Sequence, residues 1–450
     1  MKQATTLSDI LQSCDPRPLR RDELAEFFVN TADARDPVIS RRDELRKRLM
    51  RRPSANAKIL VFGHSGCGKS TELVKLADEL AESFFTVAFS VAQECNLYRV
   101  PVEDLLVIMM ERLLDACKRS GLSEALQQRE ETLKAIYSWF AEELDIAEKK
   151  VEAGGEVEGG IDTSKSLLGN VLGLFVTMKA FIRRADQRVH SMSYKKPHRL
   201  GALAEYCNLL INSVKQALHE RGRHLLIVIE DLDKVNLCDA RKMFLEQPAV
   251  LAELSAAIIC TVPIFLLHSP DRAALEQHFA MVELPMLKVL EFDGSPSPAG
   301  RQAIRQIIAR RVRGGLIEAD ALDLLIDKTR GVLRDVFEVL VVAAGAAESL
   351  SDNAKQNPVI TADNVRYALN RRKTEYARAI TTIDLPSDWK LTTDDLYKKL
   401  KTLAAAPVRI LPSEPASMVL LRARAIIEYD GKGWFAVHPL VKELLADTPD

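Results

Sequence analysis

This sequence carries almost no excess of charge: 62 lysines and arginines stand against 63 aspartates and glutamates in 450 residues. No global field draws it to nucleic acid or to an anionic membrane, and only a local basic patch could do so. Cysteine is sparse. The seven (Cys14, Cys67, Cys95, Cys117, Cys207, Cys238 and Cys260) are odd in number and widely spaced, with no C-x-x-C pair. That argues against a disulfide framework or a zinc ribbon and suits a reducing compartment. Long apolar runs are missing as well. Roughly 18 such residues are needed to span a bilayer, and the nearest approach, Leu167–Met178, is short and interrupted by Asn170. The opening MKQATTLSDI has no apolar signal core, so a cytoplasmic location is expected. The eight histidines are scattered, without nuclease, protease or zinc spacing.

The composition is that of a globular protein, 47% hydrophobic and 28% charged, and the length predicts two to four domains. Residues 1–50 read as a helical lead-in. A P-loop core is expected over 51–292, with strands at Lys58–Phe62, Phe84–Val91, His224–Ile229, Ala256–Thr261 (extended through Pro263–Leu267) and Val282–Val289. Helical periodicity appears at Thr71–Glu82, Val102–Lys118, Ala125–Val151 and Leu200–Glu220. Residues 150–190, glycine-rich and then apolar, read as an insertion to which no element is assigned. The turn-rich Asp293–Gly300 opens a helical layer over 293–375, with Thr361 as an N-cap. A small mixed module fills 376–450. In it Ile426–Tyr429 and Trp434–Val437 are expected to pair across a tight Asp430-Gly431 turn.

The sharpest signal is Gly63-His64-Ser65-Gly66-Cys67-Gly68-Lys69-Ser70, which satisfies G-x-x-x-x-G-K-[ST] between a strand and a helix. Its glycines let successive N–H groups face inward as an anion nest, and the helix start adds a positive dipole end. Lys69 would reach the β- and γ-phosphates, Ser70 would offer its hydroxyl to Mg²⁺, and Thr71 would support the α-phosphate. His64 and Cys67 occupy variable positions and read as loop filler. A second strand, Leu225–Ile229, ends in Glu230-Asp231. Glu230 falls where the metal-facing acid is expected and Asp231 where a water-activating acid is expected, an inversion of the usual order. Asp233 reads as an outer group or the cap of the next helix.

These motifs, with TVPIFLL, TRGVLRDVFEVL and LLRARAIIEYDGKGWFAVHPLV, resemble the AAA+/STAND-type P-loop ATPases, close to the origin-recognition-like branch with a C-terminal winged helix. The resemblance implies an α/β P-loop core, a helical lid and a winged-helix-like module. It also implies ATP and Mg²⁺ as ligands, Thr261 as a sensor at the end of the fourth strand, and Arg334 as a lid arginine on the γ-phosphate. The function it implies is a nucleotide-dependent switch, a homo-oligomer acting in bacterial defence or signalling with a protein effector. Two alternatives stand beside it: a DNA-loading or transposition-type ATPase, and a non-hydrolysing scaffold. The presumed recognition helix offers only Arg422 and Arg424, and the hairpin only Lys432, so nucleic acid is the less favoured partner.

Overall fold

The computed structural model describes residues 1–36, 38–127, 130–149, 166–184, 197–349, 358–382, 385 and 389–447. β1 (Lys58–Phe62), β2 (Phe84–Ser90), β3 (His224–Glu230), β4 (Ala257–Thr261) and β5 (Ala280–Glu283) form one sheet in the order β2-β3-β4-β1-β5. Every pairing is parallel, so all five strands end at one edge. The three central strands, β3, β4 and β1, carry continuous apolar runs because both faces are covered. Ile59 and Val61 point to the face packed by Leu73 and Leu76 of α1 (Lys69–Glu79). Leu60 and Phe62 point the other way, into the main core. That core also holds residues of α2 (Val102–Arg119), α3 (Glu130–Lys149), α4 (Leu167–Arg184) and α5 (Pro197–His219). The architecture is a mixed α/β P-loop NTPase fold.

Two strand expectations need correction. The fourth strand is not extended through Pro263–Leu267. Its last ladder bond is Val262 N–H to the Val61 carbonyl (3.0 Å), after which Ile264–Leu266 turns as a 3₁₀ helix. Pro263 has no N–H to continue the ladder. The last strand lies at Ala280–Glu283, earlier than expected. Its pairing with β1 closes at Leu284 N–H to the Phe62 carbonyl (2.9 Å), because β1 there becomes the phosphate loop.

Within the presumed insertion, α4 is an integral helix. Val171, Phe175 and Met178 are fully buried, and the Phe175 ring lies 4.5 Å from that of Phe140 on α3. Residues 150–165 and 185–196 lie outside the described residues. Among the described residues no helix is long and apolar enough to cross a membrane.

A helical layer follows: α6 (Pro298–Arg311), α7 (Ala319–Thr329), α8 (Leu333–Ser349) and α9 (Ala362–Ala379). Thr361 caps α9, its hydroxyl accepting from Asn364 N–H. Between α7 and α8, Gly331 has φ +86, and a Cβ there would meet the Leu287 carbonyl oxygen at 1.9 Å. Only glycine fits, and the knuckle it makes brings the start of α8 against the phosphate loop.

The chain ends with α10 (Thr393–Ala404), α11 (Pro415–Arg422), β6 (Ile426–Glu428), β7 (Phe435–Val437) and α12 (Pro439–Asp447). β6 and β7 pair antiparallel as expected, but the turn is not the two-residue Asp430-Gly431 form. Tyr429 N–H bonds the Trp434 carbonyl (2.9 Å), which leaves 430–433 as the loop. Gly431 and Gly433 carry the positive φ angles. Asp430 instead accepts from the N–H groups of Lys432 and Trp434, each at 3.0 Å.

Candidate functional site: a phosphate-loop cleft

At the carboxyl edge of the sheet lies a cleft of about 840 Å³. Its floor includes Ser65, Gly66, Gly68, Lys69, Ser70 and Thr71; Glu230 and Asp231 stand opposite. Gly63, Gly66 and Gly68 all have φ between +85 and +147, a region that strains any residue with a side chain. A Cβ on Gly66 would stand 2.7 Å from that of Arg334, and one on Gly63 would stand 2.6 Å from the Leu284 carbonyl oxygen. The loop is therefore a close-packed cradle that admits no side chain at these positions. Lys69 Nζ donates to the carbonyls of Gly63 (2.7 Å) and His64 (3.0 Å) and lies 3.0 Å from Asp233 Oδ2. Burial, the largest single influence, works against its charge, but Asp233, Cys67 and Asp231 together outweigh it and raise the lysine above its ordinary value. Asp233, assigned only an outer or capping part from sequence, is thus the ion-pair partner of Lys69.

The acids are held apart by register. Ser90 lies beside Glu230 across the β2–β3 ladder, and its hydroxyl donates to Asp231 Oδ2 at 2.5 Å. Asp231 has φ +68, Lys234 Nζ sits 2.6 Å from its Oδ1, and its N–H donates to Thr261 Oγ1 (2.9 Å). The Thr261 hydroxyl donates in turn to Asp233 Oδ1 (3.3 Å). Thr261 is buried and is not part of the cleft wall; it ties the two aspartates together from behind. Glu230 is pushed up to about 7 by burial, with Asp231 and Asp233 adding to the rise, against a lowering hydrogen bond with Ser70. Ser70 and Glu230 are therefore neighbours, as a shared metal shell would require.

The opposite wall is cationic and apolar. Arg334 lines it from the first turn of α8, and Arg311 from the last turn of α6, its guanidinium 4.2 Å from the centre of the Phe337 ring. Among the described residues neither is ion-paired with a carboxylate. The sequence reading left out Arg311 and the whole N-terminal contribution. Leu19, Phe27, Phe28 and Val29 roof the cleft, and Leu19 N–H reaches Thr71 Oγ1 at 3.4 Å. Nothing local in residues 16–35 signals this; only the tertiary pairing of the segment with α6 does.

Three of the expected loop residues, Gly63, His64 and Cys67, do not line the cleft. The buried His64 ring accepts, through Nε2, the N–H of Glu428 on β6 at 2.9 Å. Burial keeps this imidazole neutral, lowering it to about 3. Cys67 packs in one apolar cluster with Leu284, Met286, Val332, Ile427, Tyr429 and Trp434. The two loop-filler positions are thus the docking surface for the C-terminal hairpin. A second tie stands beside Arg334. The carboxylate of Asp335, wholly buried, accepts from Arg372 (2.7 Å) and from the Tyr376 hydroxyl (2.6 Å) of α9. Arg424 (3.5 Å) and His438 Nε2 (3.2 Å) of the C-terminal segment also lie against it.

No family model and no curated protein matches the chain. Solved structures do. A Walker-type ATPase of Pyrococcus abyssi is 12% identical at a TM-score of 0.44, covering 96% of this chain and 99% of its own. Cdc6p from Pyrobaculum aerophilum is 12% identical at 0.37, covering 94% and 97%. The Aeropyrum pernix Orc1 protein, solved in complex with DNA, is 13% identical at 0.36, covering 96% and 97%. At these scores the reading of the site rests on this chain's own geometry.

Proposed function

We propose that this chain is an ATP-binding, slowly hydrolysing ATPase that works as a nucleotide-dependent switch through its C-terminal segment. One observation carries the reading: a single loop, Gly63–Ser70, is at once the floor of the cleft and the surface that grips the hairpin through His64 and Cys67. A polyphosphate settling on the N–H groups of the loop presses on its backbone, and the same backbone sets the position of the His64 and Cys67 side chains. The cradle fits the ligand, since its glycine positions exclude side chains and it is flanked by Arg311 and Arg334, neither ion-paired with a carboxylate among the described residues. The donor set of Ser70, Glu230 and Asp231 is all oxygen, which suits Mg²⁺; when bound, the ion would neutralise phosphate charge. Arg334 would meet the terminal phosphate, Asp231 would orient water, and Thr261 would hold the acids in place. The effector would be another protein, in a defence or signalling assembly.

The DNA-loading alternative is less supported. The helix before the hairpin, α11, buries Ala416 through Leu421 and packs against the Ile264–Leu266 turn. It offers no free reading face in this state. The switch is tested on a chain whose only tryptophan is Trp434, the other two replaced by phenylalanine. ATP should change Trp434 emission, and Lys69→Ala should abolish the change. Emission and hairpin hydrogen exchange both indifferent to saturating ATP and ADP would sink the switch reading.

A further inference from the structure

Arg35 is buried beside the phosphate loop, and among the described residues no carboxylate pairs with it. Its Nε donates to Thr31 Oγ1 at 3.0 Å, one terminal nitrogen donates to the Cys67 carbonyl at 2.5 Å, and the other donates to the Pro285 carbonyl. All three acceptors are uncharged. The nearby acids are engaged elsewhere, Asp36 with Arg41 and Glu72 with Arg42, and among the described residues none is ion-paired with Arg35. The residue sits 6% exposed on the cleft wall. A Cβ built on Gly68 would lie 3.2 Å from its guanidinium, so the charge stands directly against the nest. A buried cation satisfied only by neutral oxygens retains part of its desolvation penalty until a counter-charge arrives. The place beside it that is shaped for an anion is the nest.

The geometry also shows what the guanidinium does to the loop. The N–H groups of a nest can point inward only if the carbonyls between them point away. Arg35 grips one of those carbonyls, Cys67, from behind, and links it to Pro285 at the exit of β5. The grip is itself anchored, since Ala34 accepts Lys288 N–H at 3.1 Å and Asp36 N–H closes the short helix on the Ala32 carbonyl at 2.9 Å.

We propose that Arg35 is a positioning residue of the phosphate loop: it fixes the Cys67 carbonyl outward and supplies positive charge that a nucleotide's polyphosphate completes. The assignment rests on the ATP-binding reading above. The test is calorimetry on the full chain with Mg²⁺–ATP, ADP and adenosine. Arg35→Met, which keeps length and loses charge, should weaken ATP and ADP by about 10- to 100-fold, the range of a charged hydrogen-bonding group, and leave adenosine within about twofold. Arg35→Lys should recover part of that loss and stay weaker than the wild type, since an ammonium keeps the charge but cannot hold all three acceptors. ATP affinity unchanged in Arg35→Met while Lys69→Ala abolishes it would overturn the assignment. So would equal losses for ATP and adenosine, which would mean packing of the roof alone, and so would an Arg35→Lys no better than Arg35→Met. If Arg35→Met fails to fold, Arg35→Lys decides, with wild-type ATP affinity counting against. Wild-type protein that binds no adenine nucleotide would instead bring down the reading of the whole site.

Discussion

Replacing Asp335 with asparagine should loosen the C-terminal segment without touching the sheet. The side chain keeps its shape and loses the charge around which Arg372, Tyr376, Arg424 and His438 gather. Removing one member of a buried ionic group costs about 3–5 kcal/mol, because the partners stay buried and uncompensated. Arg372 retains Glu338 at 2.7 Å, so the low end, about 3 kcal/mol, is the working figure, equal to a roughly 100-fold shift in an opening equilibrium. A single global melt does not say which element has loosened. Amide hydrogen exchange reads each element separately. Protection of β6, β7 and α12 should fall about 100-fold in Asp335→Asn, while β1 and β4 stay as they were. The exposed Asp363–Arg366 pair, 88% and 61% exposed, is the control: Asp363→Asn should cost about 0–1 kcal/mol. Hairpin protection in Asp335→Asn within threefold of the wild type would refute the claim that this carboxylate ties the segment down. The pH dependence has a definite sign. Burial alone would raise Asp335, but His438, Arg424 and Arg372 hold it well below the usual carboxylate range. The tie is therefore at full strength above the usual carboxylate range and is lost progressively as pH falls below that range toward the depressed value of Asp335 itself.

Lys69→Ala should abolish ATP binding in calorimetry; an affinity within a few-fold of the wild type would remove the loop from the site. Asp231→Asn should bind ATP and stop turnover, whereas Glu230→Gln should weaken the Mg²⁺ dependence, and wild-type hydrolysis by Asp231→Asn would reverse the two parts. A second pH effect runs opposite to that of Asp335. Burial, then the Glu428 carboxylate and Asp430, push Glu283 up to about 8 against the pull of Arg41, and His268 lies 2.7 Å from Glu428. Hairpin docking should be strongest below the ordinary glutamate range and weaken as pH rises through about 8, and Glu283→Gln should flatten that slope in the same exchange experiment. Phe175→Ala should cost about 3–5 kcal/mol, read as lost exchange protection of α3 and α4; a loss under about 1 kcal/mol would refute the burial of α4 in the main core.

How much of this the sequence discloses depends on whether a signal is local. The phosphate loop is legible because φ demands, charge and spacing all fall within eight consecutive residues. The acidic strand end is legible because five apolar residues must precede it to reach the same edge. Asp233 was harder, since its pairing with Lys69 depends on the turn that Asp231 makes at φ +68; aspartate tolerates that conformation, but nothing local places it at this residue. Arg35 and Arg311 were invisible, because an arginine is recognised as functional only by the missing carboxylate around it, a tertiary fact. His64 was read as filler because its partner is a backbone N–H more than 300 positions away. The hairpin turn was misjudged because Asp430-Gly431 and Gly431-x-Gly433 offer competing turn chemistries, and the Asp430 side chain settled the longer one.

The roof over the cleft has a consequence for how the protein is made. Ala4 and Val312 form a parallel bridge, and Gln3 bonds the Ala309 carbonyl across 306 positions. Since ribosomes build from the amino end, residues 16–35 emerge long before the α6 arginine that completes the cleft. Until then Leu19, Phe27 and Phe28 have no finished pocket to cover. Contacts of such separation form late and slowly, and apolar groups waiting for distant partners are exposed to misassembly. Nascent chains stalled short of α6 should therefore hold a folded sheet and an unroofed phosphate loop.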